Sequence, residues 1–359
     1  AAEACAAMRG PSRMFRRVLA KRTPAPPVPG RAAGPRPALP APPARAALPP
    51  GRARPARPSP ARRLRQALAV AGGNFRRWRR SPRIAVTFCL TFILCFLLSD
   101  KAVRFAREYD AAMQLVEAFV WTFGDANSIL LSSLMLLLLF ADMPFLSPAT
   151  PFYLLRIDRR TWIAGQALYV AGATGLYLLF VLVSTSLVCM TQSFAGNMWS
   201  ETAAILGYSG AGQSVALPAL VKTLEMSTPY ACTAAIFLLM LLYALLLAFL
   251  MLLCNLRFGQ RGGVAAALGF SLYGYLLNPA TIRALLDLPS ELMYRANVAV
   301  GWLSPLNHAT YHMHNFGYDL LPRLGETYLL FAALIALMYL LSVRAARGYG
   351  FNFSGTENG

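Results

Sequence analysis

Six long apolar runs, at about 83–99, 126–142, 162–189, 230–255, 262–279 and 326–343, constrain this chain more than any other feature. About 20 apolar residues of helix cross the hydrocarbon core of a bilayer. Backbone inside that core must satisfy its own hydrogen bonds, so such runs predict helices. The expected fold class is all-α: a polytopic membrane protein with six transmembrane helices over residues 83–347. Composition agrees, with 57% hydrophobic residues and a mean hydropathy of +0.47, beyond the range of ordinary soluble domains. The fifth run is the weakest. It contains Gly269 and Gly274 and meets Asn278-Pro279, where it either bends or continues to about Leu288.

The net charge of +19 has to be located before it means anything. Residues 1–83 carry 20 Lys and Arg against the single acid Glu3, which leaves 14 bases and 14 acids for the rest. A basic pI therefore gives no reason to expect a nucleic-acid partner for the apolar part. Residues 1–60 are rich in Pro, Ala and Arg and cannot bury a core, so they read as a disordered, partly polyproline-like arm. No apolar signal core follows their basic residues, and Met8 and Met14 are alternative starts. Residues 61–82 differ. Leu64, Ala67, Leu68 and Ala71 fall on one helical face, and Arg62, Arg63, Arg65, Arg76, Arg77, Trp78, Arg79 and Arg80 surround it. This segment reads either as an amphipathic anchor on an anionic leaflet or as a plain orienting signal.

Basic residues then set the topology. Arg156, Arg159, Arg160, Arg257, Arg261, Arg344 and Arg347 lie in short connections, whereas the acids gather in the long connections 100–125, 190–229 and 280–325. The positive-inside rule places both termini in the cytosol of a multi-pass plasma (inner) membrane protein, with residues 348–359 as a short tail. The loop 143–161 is then cytosolic. It is longer than a minimal hairpin, with Pro144, Pro148 and Pro151 at its start. "FYLLRIDRRTW" follows and reads as a short amphipathic helix continuing into the third span. A charged knob of this kind suits docking of a soluble partner.

The string "YLLRIDRRTWIAGQALY" and the later "WLSPLNHA" (302–309), together with six spans and a basic lead-in, resemble permease subunits of type-2 (exporter-like) ABC transporters of bacteria. The resemblance covers about residues 62–347, and the fifth run departs from the pattern. It implies that the 143–161 loop is a coupling element on a separate ATPase subunit. Arg156, Asp158, Arg159 and Arg160 would then contact the ATPase, Trp162 would anchor at the interface, and Gly165 and Gln166 would lie at the span entrance. It also implies pairing with a second permease, as a homodimer or heterodimer. The chain has no G-x-x-x-x-G-K-S/T loop, so ATP and Mg would be held by the partner, and neither cofactor nor enzyme activity is expected of this chain.

Other chemistry reads more weakly. "GYSG" (207–210) matches the serine motif of rhomboid-like intramembrane proteases, but the nucleophile needs a histidine across a buried site, and only His308, His312 and His314 exist. His308 and His312 have metal-ligand spacing on a helix, yet no convincing further ligands accompany them, so hydrogen-bonded neutral rings are expected. Cys189 and Cys232 fall near one membrane face, where buried free thiols are the commoner state. No acid or base lies well inside a predicted span, which speaks against a proton-coupled carrier. A non-transporting membrane scaffold fits the same composition.

Overall fold

A computed structural model describes residues 59–145, 150–287 and 289–349. The chain divides into two units, Ala1–Ala56 and Arg57–Gly359, and only the second contains described residues. The expected arm therefore lies almost wholly outside them, as does most of the tail.

All six apolar runs are helical, as their composition demands. The helices are α1 (Pro60–Arg76), α2 (Pro82–Glu108), α3 (Glu117–Thr122), α4 (Ala126–Phe140), α5 (Thr150–Leu154), α6 (Arg159–Cys189), α7 (Glu201–Tyr208) and α8 (Ala211–Ser214). They continue as α9 (Val221–Met226), α10 (Pro229–Phe258), α11 (Gln260–Leu276), α12 (Pro279–Leu285), α13 (Met293–Leu303), α14 (Pro305–Ala309) and α15 (Leu324–Gly348). Prolines open α1, α2, α10, α12 and α14, where a missing N–H costs nothing. The all-α expectation needs one small amendment. Met113–Gln114 (β1) pairs in parallel with Ser193–Phe194 (β2), stitching two connections together.

Four helices, α2, α6, α10 and α15, are long and apolar enough to cross a membrane. The expected six are reduced to these four on length. Helix α4 has 15 residues and α11 has 17. At 1.5 Å per residue these reach about 22 and 26 Å, short of a core about 30 Å thick. Asp125 accepts from the Asn127 N–H and fixes where α4 begins. The fifth run does bend: α11 stops at Leu276, and Asn278 caps a new helix by accepting from the Thr281 N–H at 2.8 Å.

Six helices nevertheless alternate in direction. Arg83 at the start of α2 pairs with Asp142 just after α4. Gln260 at the start of α11 donates to the Ala141 carbonyl at 2.9 Å, and Asn255 near the end of α10 donates to the Met143 carbonyl at 2.6 Å. Arg159 at the start of α6 reaches the end of α15. The starts of α2, α6 and α11 thus gather with the ends of α4, α10 and α15. This is the basic end of the bundle, and the long connections lie at the far end. Between α10 and α11 the chain reverses through Gly259 alone, at a φ of +80° that favours glycine. The two helices then run so close that a Cβ on Gly263 would meet Asn255 Oδ1 at 1.9 Å.

Helix α10 is the central post and is mostly buried, whereas α15 is mostly exposed and sits at the edge. Tyr243 on α10 and Trp162, Tyr169 and Tyr177 on α6 are the largest fully buried side chains. The Tyr177 hydroxyl donates to the Ser132 carbonyl at 2.9 Å, joining α6 to α4.

Candidate functional site

The loop between α4 and α6 is built from two breaks. The expected continuous helix through "FYLLRIDRRTW" does not form. Helix α5 ends at Leu154, the chain turns through Leu155–Ile157, and α6 starts afresh after the N-cap Asp158. Leu154 and Ile157 pack against the core, which holds the turn in place. Phe152 and Leu155 point the other way and are 69% and 85% exposed. Arg156 is exposed beside them. The basic end therefore presents an apolar pair flanked by a cation on a short, anchored element.

The other residues singled out from the sequence are distributed differently. Arg159 stays at the surface and reaches across to α15: its Nη1 donates to the carbonyls of Ala346, Arg347 and Tyr349 at 3.0, 2.7 and 3.2 Å. These are the last acceptors of α15, which a cation satisfies well. Arg159 is thus a clamp between α6 and α15, where the resemblance implied a partner contact. Arg160, one residue on, faces a groove between α1, α6, α10 and α15. Trp162 is 1% exposed and belongs to the core, which corrects its expected place at an interface. Gly165 and Gln166 form the seat of α1. A Cβ on Gly165 would meet Val70 Cβ at 2.6 Å, and the buried Gln166 accepts from Asn74 Nδ2 at 3.1 Å.

Helix α1 is consequently part of the bundle, packed lengthwise on α6. Its buried residues are Ala67, Val70, Ala71 and Asn74, while Leu64 and Leu68 of the expected apolar face are more than half exposed. Trp78, expected at the lipid surface, is half-buried. It packs against Phe75 and Phe88, and its indole N–H donates to the Tyr169 hydroxyl at 2.8 Å. Tyr169 meets Phe145 as well, at a ring distance of 4.9 Å, so it ties α1, α6 and the first residues after α4 together. Arg62, Arg63, Arg65, Arg76, Arg77, Arg79 and Arg80 remain exposed around this packed helix.

The far end is held by buried polar groups. Glu117 is fully buried; it accepts from the Ser200 N–H at 2.7 Å, the Ser200 hydroxyl at 2.6 Å and the Gln114 N–H at 3.1 Å. Burial pushes its carboxyl up, and these hydrogen bonds oppose that rise. At the same end, His308 and His314 converge on Thr327, the first with Nδ1 at 2.9 Å from Oγ1 and the second with Nε2 at 3.0 Å. Their other nitrogens face carbonyls, His308 Nε2 that of Trp302 and His314 Nδ1 that of Tyr311. A carbonyl only accepts, so both of those nitrogens carry hydrogens. Two neutral rings then present two acceptors to one hydroxyl, which has a single hydrogen. Burial pushes His308 down and His314 down to about 4.

Helix α14 ends at Ala309, so His308 and His312 do not share a helical face. Among the described residues no group of three metal-ligating side chains occurs. Ser209 of "GYSG" is exposed and donates to the Ile205 carbonyl, without a histidine partner among the described residues. Cys189 and Cys232 are buried free thiols. Sequence reasoning missed Glu117 and Thr327; a carboxylate flanked by Gln114 and the aromatic-rich "AFVWTF" offered the only signal. Comparison of the chain with protein-family models, curated proteins and solved structures finds no match.

Proposed function

We propose that the chain is the permease subunit of an ATP-binding-cassette exporter, coupled through the α4–α6 loop to a separate ATPase. The observation that carries this reading is the knob: Phe152 and Leu155 exposed beside Arg156 on an element whose other side is packed into the bundle. Exposed apolar side chains with a neighbouring arginine are the anatomy of a small docking surface. The knob also leads somewhere. It runs directly into α6, and Arg159 passes any displacement of that start to the end of α15. Closure of two ATPases would push on the knob and tilt α6 and α15 together, and the cycle does work because ATP favours one tilt over the other. In this reading the basic end faces the cytosol, six helices cross or enter the plasma membrane, and a second permease completes the pathway. Asp158 occupies the N-cap position of α6, next to the contact, without a capping hydrogen bond from its side chain.

The test is mild-detergent purification from the native membrane, with mass spectrometry and an ATPase assay of what co-purifies. A stoichiometric ATPase, lost in Phe152→Asp plus Leu155→Asp while thermal stability is kept, is the expected result. A preparation without any ATPase, under conditions that keep other transporters assembled, would shift the reading to a membrane scaffold.

A further inference from the structure

A groove of about 730 Å³ runs between α1, α6, α10 and α15. Its walls are apolar for most of its length. Ala164, Ala167 and Ala171 on α6 face Ala332 and Ala336 on α15, with Leu242, Leu245 and Phe249 of α10 behind. These alanines stand at i, i+3, i+7 and at i, i+4, so each helix offers the groove a flat strip of small side chains. The strip on α6 spans residues 160–171, about 16 Å at 1.5 Å per residue.

Tyr339 of α15 is a polar group in the lining, but charge is confined to one end. Arg63 of α1 and Arg160 of α6 line the groove there, next to Thr161. Both arginines are exposed, and neither has an ionic or hydrogen-bonding partner among the described residues. This end also coincides with the first turn of α6, a helix of 31 residues whose N-terminal N–H groups receive no side-chain cap. The positive end of the helix and two guanidinium groups therefore share one mouth. The contrast with Arg159 is instructive, because its charge is spent on three carbonyls whereas its neighbour's is not.

From a long apolar trough closed by two cations at the level where the basic end begins, we infer that the groove binds one anionic phospholipid, phosphate at Arg63 and Arg160, acyl chain along the alanine strips. Diacyl lipid of the surrounding bilayer is the source, since the groove opens along the side of helices long and apolar enough to cross it. Exposed Leu64 on α1 then has a reason to lie away from the bundle core: it flanks the acyl chain. The site is independent of the knob, whose residues lie on α5 and the turn after it.

The probe is native mass spectrometry of the purified protein with phosphatidylglycerol and phosphatidylcholine of identical chains. Wild type should retain phosphatidylglycerol on the order of ten-fold better, as two interfacial arginines imply. Arg63→Ala plus Arg160→Ala should bring the two lipids level while phosphatidylcholine retention stays as it was. Ala171→Phe and, separately, Ala336→Phe fill the trough and should release both lipids without lowering the unfolding midpoint. Millimolar inorganic phosphate should not displace the lipid; displacement would show an anion site without a lipid groove and overturn the assignment. Equal retention of both lipids by wild type, or full retention by both Phe variants, would overturn it too. So would efficient disulfide crosslinking of Ala336→Cys between two chains in the membrane, which would give the groove to a second copy.

Discussion

The two ends of the bundle solve the same problem in opposite ways. At each, helix termini and connecting backbone expose polar groups that need partners. The far end satisfies them with side chains taken out of water: Glu117 under Ser200 and Gln114, and two histidines around Thr327. The basic end buries Asn255 on the Met143 carbonyl but otherwise leans on side chains that stay at the surface, with Arg159 on the last carbonyls of α15 and Gln260 on the end of α4. A buried hydrogen-bonded group is costly to disturb because its partners are stranded with it, whereas a surface group can be replaced by water. The far end is therefore built to stay closed, and the basic end keeps its charges available for something else.

Substitutions can break this comparison, and the deepest should cut hardest. Glu117→Ala strands two buried N–H groups and a hydroxyl, and should cost about 3 kcal/mol, read as a lower thermal midpoint of the purified protein. Glu117→Gln should recover part of that loss, since it keeps one acceptor. Acid should act at the same end with comparable force. An unfolded chain carries histidines near their ordinary value of about 6.5, while burial holds His314 and His312 down to about 4 in the fold. Between those values the unfolded chain binds more protons, so stability is present above about 6.5 and lost as the pH falls towards 4. The loss approaches on the order of 3 kcal/mol for His314; a pH series of unfolding midpoints checks it, and His314→Gln should flatten the acid limb.

Milder effects belong to the basic end. Gly165→Leu forces α1 away from α6 and should cost about 2 kcal/mol by overpacking, with proteolysis of α1 as the readout. Arg159→Ala gives up one charged donor at the surface and should cost about 1 kcal/mol in the same unfolding assay. Arg156→Ala should leave the midpoint within about 0.5 kcal/mol of wild type. If instead Arg156 matters as much as Glu117, the contrast between the ends is wrong.

Much of this was legible in the sequence because helix existence is a local property. Runs of Leu, Ile and Val announced all six segments, and the arginine pattern matched the end at which short connections gather. What the sequence obscured were properties that depend on a neighbour far along the chain. Helix α4 was overread by two residues, since its apolar run passes Phe140 into a turn that Asn255 and Gln260 hold. Arg159 and Arg160 look alike in a string; they separate by about 100° on the helix, and only the position of α15 decides that one clamps and the other does not. Trp162 reads as an interfacial anchor until α6 is packed into the core and the residue is enclosed. Glu117 and Ser200 are 83 residues apart, beyond any periodicity.

The shared hydroxyl of Thr327 turns the histidine pair into a counter. With no added proton, one ring points a lone pair at an oxygen that has no hydrogen left to give. With one, that ring donates to the oxygen, the hydroxyl donates to the other ring, and every nitrogen is matched. With two, both rings donate, the hydroxyl hydrogen loses its ring acceptor, and like charges face each other across a single atom. Hydrogen-bond arithmetic thus prefers an odd tally, while burial prefers zero. The connection before α15 is strung between those two preferences, at the point where that helix enters the bundle.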